Sequence, residues 1–375
     1  MRDKKSAPHF LFPINGDVMV GEADGVWENG RLKIRVSLES CADQVQVSGV
    51  PAKQEPDGTF SAEVLLDGRV NRLEAINVES GASEAITVYV FADAYHKYRF
   101  TVDDFIRGFQ DLHEHRDTYR SIFDNPYLNI YKKAHDLYGS RVHINVFYES
   151  FDGAFNLSMM TDKYREEFEA NADWLSFSFH ARAEMPDLPY QNKRYEEVRE
   201  DALLVNRELK RIVGEKALRN TTTLHWGACT VQGTRALRSL GYRALCAYLT
   251  FCHSEDDPWY QNGDPMVSYH LTGEQVAHAE HRCFFVDTEE DMIFVKLHMV
   301  LNAGDLTADR VEAFLDELSA NPSASACIQM VIHEQYFYPD YVAYEPDYEQ
   351  RILTMAKWMQ THGYTAMSLS EIIEE

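Results

Sequence analysis

The sequence predicts an α/β fold, a βα barrel around a parallel sheet, preceded by a small all-β sandwich. Three observations carry that prediction. Residues 8–92 alternate apolar and polar side chains with a period of two, between turn signals. From about residue 95 helical patterns alternate with short apolar strands, giving seven or eight βα units. Odd polar residues then recur at the C-terminal ends of those strands, the face where βα barrels build active sites. The expected boundary divides 1–94 from 95–375.

Chain-wide properties narrow the classes. The 375 residues carry 60 acidic against 36 basic side chains, a formal net charge of −24. That balance argues against a nucleic-acid or anionic-membrane partner and suits a neutral or cationic ligand. The six cysteines, Cys41, Cys229, Cys246, Cys252, Cys283 and Cys327, form no CxxC pair and read as reduced core or boundary residues. Met1-Arg2-Asp3-Lys4-Lys5 is not followed by an apolar signal-peptide core, and no stretch approaches the roughly 18 apolar residues of a membrane span. The expectation is a soluble, cytoplasmic protein; its oligomeric state is open.

In the first segment, Leu32-Lys33-Ile34-Arg35-Val36 and Gln44-Val45-Gln46-Val47 have the alternation of half-buried strands. Asn15-Gly16, Glu28-Asn29-Gly30, Pro56-Asp57-Gly58 and Asp67-Gly68 supply the turns between strands. In the second segment, strands are expected at 98–102, 142–147, 175–179, 221–224, 243–248, 293–297, 327–332 and 365–369. Helices are expected at 118–138 (broken at Pro126), 160–172, 195–213, 231–240, 307–319 and 347–362. The stretch 253–291 reads as a loop-rich insertion.

The strand Tyr98–Val102 runs into the adjacent carboxylates Asp103 and Asp104. Two readings stay open for them. One is a helix cap, which Asp favours; the other is a shared cavity where a cation or hydrogen bonds balance both acids. His180, His225 and His333 fall at later strand ends. In His180-Ala181-Arg182-Ala183-Glu184 the i, i+4 spacing lets one helical turn present an imidazole and a carboxylate to one ion. Asp104, His180 and Glu184 would then offer a donor set suited to zinc, manganese, iron or cobalt.

At these residues the sequence resembles the polysaccharide deacetylase (NodB-homology) superfamily, carbohydrate esterase family four. Thr101-Val102-Asp103-Asp104 is similar to its Thr-Phe-Asp-Asp motif. His180-Ala181-Arg182-Ala183-Glu184 is similar to its His-Ser/Thr-x-x-His, with Glu184 in the second His position. Thr223-Leu224-His225-Trp226-Gly227, before the helix ending Leu240-Gly241-Tyr242, resembles its third motif without the Arg and prolines. Val331-Ile332-His333 resembles its closing Leu-x-His. The likeness covers roughly 95–370, and 57–77 resembles strands of immunoglobulin-like accessory domains.

The resemblance implies a distorted (β/α)7 barrel and a divalent metal (zinc, or manganese, iron, cobalt or nickel). It implies Asp103 as general base, Asp104 and His180 as metal ligands with Glu184 as the third, and His333 as general acid. The missing Arg normally orients the base. His225 reads as an extra ligand, an oxyanion donor or a packing residue, and Trp226 and Glu334 are further site candidates. Trp226, Trp259, Tyr260, Tyr336 and Tyr338 are candidate sugar-stacking faces, and His298 also sits at a strand end. The implied activity is hydrolysis of an acetyl group from an N-acetylated carbohydrate, or of a related C–N amide. The rivals are a catalytically weak or inactive deacetylase-like carbohydrate binder, and an interaction protein working through its β-sandwich.

Overall fold

A computed structural model describes residues 6–251, 265–302, 304 and 306–373. It divides into two compact units, one of residues 1–95 with 284–289, the other of 96–283 with 290–375.

The first unit is built of two sheets whose alternation is the one read from the sequence. One contains His9–Phe12, Arg31–Glu39, Phe60–Leu66 and Lys53–Gln54 in that order, with Val26–Glu28 beside Arg31–Glu39. The other orders Val18–Met19, Ser83–Val90, Val70–Asn77, Val45–Val47 and Val50–Pro51. Leu32, Ile34, Val36 and Val64 of the first sheet share one apolar core with Val45, Leu73, Ala75 and Val88 of the second. Period-two patterning therefore does what it predicts, burying alternate side chains while their neighbours face out. The unit also takes in Phe284–Asp287. Val286 N donates to Gly16 O (2.8 Å), and a Cβ on Gly16 (φ +89°) would stand 2.0 Å from Val286 O. A strand here corrects part of the loop-rich reading of 253–291.

The second unit is α/β. Leu175–Ala181, Val142–Phe147, Lys97–Phe105, Cys327–His333 and Met299–Val300 form a parallel sheet in that order, with Thr365–Ala366 alongside Lys97–Phe105. Thr221–Thr222, Ala244–Ala247 and Met292–Lys296 form a second parallel array. Among the described residues the sheet does not close. The arrays meet through isolated hydrogen bonds, Arg219 N to Phe177 O (3.0 Å) and His298 N to Gln329 O (2.9 Å).

Helices follow the strands, including Arg107–Glu114, Pro126–Tyr138, Tyr195–Ile212, Val231–Ser239, Ala308–Ser319 and Tyr348–Thr361. Pro126 occupies the first position of its helix, where its missing N–H costs nothing, and Asn125 caps it through Leu128 N (2.8 Å). Two local expectations change. The helix expected over 160–172 is only Arg165–Ala170, and the end of the expected strand 365–369 is instead the start of a helix, Leu369–Ile373. A short helix, Gly273–Ala279, with a Thr272/Gln275 capping box, also lies in the stretch read as loop. No described helix is long and apolar enough to cross a membrane.

Candidate metal centre

A register slip explains how two consecutive acids reach one cavity. Lys97–Phe105 pairs with its neighbour as Val102↔Ile144 and then Phe105↔Val146, so three steps on one strand match two on the other. The extra residue is a bulge, and Asp104 sits in the left-handed region at φ 64°. Such a conformation costs roughly 1–3 kcal/mol for a non-glycine residue, and here it turns the second carboxylate back beside the first. Asp103 and Asp104 line the same cavity of about 360 Å³. Neither caps the following helix. Glu334 does that, accepting from the N–H groups of Ile106 (2.7 Å), Arg107 (2.8 Å) and Gly108 (2.7 Å).

Asp104, His180 and His225, all buried, bring one donor atom each to a common point. His180 Nε2 lies 3.0 Å from Asp104 Oδ1 and 3.1 Å from His225 Nδ1, and His225 Nδ1 lies 3.2 Å from Asp104 Oδ1. The outer nitrogens fix the chemistry of this triangle. His180 Nδ1 faces the carbonyl of Thr223 and His225 Nε2 faces the carbonyl of Glu184 (3.1 Å), so each must carry its hydrogen there. In the neutral rings the inner nitrogens are therefore lone pairs, pointed at each other and at a carboxylate oxygen. Lone pairs converge stably only around a cation. Two imidazoles and a carboxylate with carbonyl-fixed tautomers form a donor set that fits a divalent transition ion.

Local electrostatics agree. Burial would raise the Asp104 carboxyl, but hydrogen bonds from both histidines and the charge of His333 hold it well below the usual range. Burial alone lowers the His180 imidazole, yet Asp103 and Asp104 outweigh it and raise it. Gln335 Nε2 donates to Asp104 Oδ2 (2.8 Å), leaving Oδ1 for the triangle. Phe147 packs against both imidazoles, its ring centroid 5.1 Å from His180 and 5.0 Å from His225. His225 owes its position to a tight turn in which Trp226 has φ 65° and Gly227 φ 55°. A Cβ on Gly227 would stand 2.9 Å from both Ala247 and Val267, so the turn needs its glycine.

Asp103 and His333 stand beside this group and are held differently. They are direct register partners on adjacent strands, and both line the cavity. Asp103 Oδ1 accepts from Asn145 Nδ2 (2.6 Å). Asn145 is itself fixed by hydroxyls, Ser178 Oγ (2.7 Å) and Thr222 Oγ1 (3.2 Å) donating to its Oδ1. His333 Nδ1 lies 3.0 Å from Asn302 Oδ1, which leaves Nε2 as the nitrogen unclaimed by that contact.

The remaining sequence candidates separate clearly. Glu184 lines the cavity with a half-buried carboxyl that burial raises, but that carboxylate is outside the three-donor group; the residue contributes its backbone carbonyl to His225 instead. His225 stands where the spacing argument expected Glu184. Trp226 and Tyr336 line the cavity, joined by Tyr248 and Tyr341, which sequence reasoning passed over. Tyr338 does not; its ring lies under the Arg107 guanidinium (3.7 Å) and its hydroxyl bonds Glu334. Trp259 and Tyr260 lie outside the described residues. His298 is tied into the sheet, Nδ1 accepting from Gln329 N (3.1 Å), and burial pushes it down to about 3.

No family model matches the sequence, and comparison with curated proteins finds no match. Among solved structures the chain is similar to a 4-alpha-glucanotransferase from Thermococcus litoralis, with 12% identity and TM-score 0.46 over 75% of this chain and 40% of that one. It is similar to Agd3, a carbohydrate deacetylase, with 9% identity and TM-score 0.41 over 97% and 73%. It is also similar to a family 4 acetyl xylan esterase from Clostridium thermocellum in complex with a cobalt ion, with 11% identity and TM-score 0.37 over 74% and 90%. The chain spans less than half of the glucanotransferase. Likenesses at this level decide neither activity nor substrate.

Proposed function

We propose that this chain is a divalent-metal-dependent hydrolase of the polysaccharide deacetylase kind, acting on an N-acetylated carbohydrate or a related amide. The observation that carries the reading is the triangle of Asp104 Oδ1, His180 Nε2 and His225 Nδ1, at 3.0–3.2 Å, with its outer nitrogens pinned by carbonyls. Asp104, His180 and His225 would hold the ion, with zinc, manganese, iron, cobalt or nickel as candidates. When bound, such an ion supplies Lewis acidity toward an acyl oxygen and a water.

The chain's own groups do the rest. Asp103, held by Asn145, takes a proton from the attacking water as general base. His333, oriented by Asn302, returns a proton to the leaving nitrogen through its other ring nitrogen. Asn145 takes over the orienting task left by the Arg absent from the third motif. Trp226, Tyr336 and Tyr341 give the cavity rings on which a sugar can stack. The two parallel arrays are read as arcs of a distorted (β/α)7 barrel. The sheets within 1–94 are read as an immunoglobulin-like sandwich, an accessory module with no catalytic cluster.

The test is acetate release from chitooligosaccharides or peptidoglycan fragments, before and after chelation and with metal added back. Metal-restored release supports the reading. Sugar binding without release at full metal occupancy would replace it with an inactive carbohydrate binder.

A further inference from the structure

We propose that Glu184 binds a protonated amine of the substrate, so that the preferred substrate is a sugar chain with a free amino group beside its N-acetyl unit. This rests on the reading of the site as a carbohydrate amide hydrolase and names the substrate class. A second cavity, of about 410 Å³, adjoins the metal cavity of about 360 Å³, and Asp104, Glu184, Gln335 and Tyr341 line both. Each has the size of a small-molecule site, so the pair has room for consecutive units of a chain. Phe151, 74% exposed, lines the second cavity and offers its ring to the neighbouring unit.

At the junction of the two cavities Glu184 lacks a partner. Its carboxylate is half-buried and makes no hydrogen bond or ion pair among the described residues. The carbonyl of the same residue bonds His225 (3.1 Å), which keeps Glu184 beside the centre. Donors nearby are committed elsewhere. Gln335 Nε2 donates to Asp104 (2.8 Å), and Tyr341 packs on Tyr336, with ring centroids 5.0 Å apart. Arg107, the one Lys or Arg lining either cavity among the described residues, is held by Asp340 (2.9 and 3.0 Å). Asp104 and the exposed Asp187 add negative charge around Glu184, and only His225 opposes them. A divalent ion at the centre is balanced by Asp103 and Asp104, so it leaves Glu184 uncompensated. A sugar hydroxyl would satisfy this carboxylate's hydrogen bonding and leave its charge. An ammonium satisfies both. Each cut releases acetate and leaves an amine, so the product of one cut carries the group that Glu184 holds during the next.

Calorimetric titration of the metal-loaded full chain tests this with a β-1,4-linked glucosamine tetramer and with cellotetraose. The two differ in amine against hydroxyl, and neither has an acetyl group to lose. At about pH 6, below the range of an ordinary α-amine, the glucosamine tetramer should bind about five-fold more tightly. In Glu184→Gln, which keeps the carbonyl to His225, the two Kd values should become equal. Equal affinities in the wild type, or no binding of either tetramer, overturn the proposal. So does an amine preference that survives Glu184→Gln, which would place the amine on the metal or on Asp187. Acetate release from the N-acetylated tetramer is scored separately. Release with equal affinities removes this proposal and leaves the hydrolase reading standing; a Glu184-dependent preference without release does the reverse.

Discussion

The two ends of the strand Lys97–Phe105 pose opposite problems in burial. At its C-terminal end Asp104, His180 and His225 aim lone pairs at one point, a set that a cation completes. Four residues from Asp103, at the other end, the terminal nitrogens of Arg99 make no hydrogen bond among the described residues, and neither does Oε1 of its register partner Gln329. Between the two runs a chain of hydrogen bonds, Asp103–Asn145–Ser178–His143–Ser176, buried throughout. The difference lies in precision. The carboxylate end has every supporting atom fixed by a carbonyl, an amide or a ring, as catalysis demands. The guanidinium end lacks such support, its terminal donors and the neighbouring Gln329 amide oxygen both unpaired among the described residues.

Mutations that break the comparison should have effects graded by distance from the triangle. Asp103→Asn should cut kcat by about 10²–10⁴-fold while metal content stays at the wild-type level, because it removes the base and spares the ligands. Deamidation during expression would mask this, so mass spectrometry should accompany the kinetics. Asn145→Ala should lower kcat/KM by roughly 10–100-fold, the range for loss of an outer partner of a site. A kcat/KM unchanged in Asn145→Ala would make Asn145 merely a packing residue.

Glu334 separates helix capping from catalysis. Burial raises its carboxyl to about 7 against the pull of three backbone N–H donors. A carboxyl raised in the folded state contributes stability that is complete below its unfolded value, near 4.3, and is lost as pH rises toward 7. Denaturant unfolding should therefore show stability falling between about pH 4.5 and 7, and Glu334→Gln should flatten that slope. Glu184→Gln should be the mildest of the series, changing KM a few-fold through the cavity wall. It leaves the carbonyl that holds His225 in place.

Much of this was legible in the sequence, and the limits are physical. Alternation in 31–39 and 60–66 announces strands whose inward side chains form a real core. The recurrence of Asp103, Asp104, His180, His225 and His333 at strand ends announces a shared face, because parallel βα units place those ends together. What sequence spacing could not decide was which side chain completes the triangle. The i, i+4 argument for Glu184 assumes a helical turn after His180, and the strand instead continues to Ala181. His225 arrives through a left-handed turn that no periodicity reports, although the Trp226-Gly227 pair is a turn signal in hindsight. Asn145, Gln335 and Asn302 were invisible for a different reason. An amide inside or after an apolar strand looks like any buried polar residue until its partner is known. Arg99 did carry a signal, an arginine on the inward side of a strand otherwise fully apolar on that stretch, Tyr98 to Val102, save for Thr101.

The central claim is that His225, with Asp104 and His180, completes a metal site that Glu184 does not enter. Metal content of the purified chain, measured beside His225→Ala and Glu184→Ala after identical metal loading and desalting, tests it directly. The account predicts about one divalent ion per chain in the wild type and in Glu184→Ala, and loss of the ion in His225→Ala. Retention in His225→Ala with loss in Glu184→Ala would contradict it.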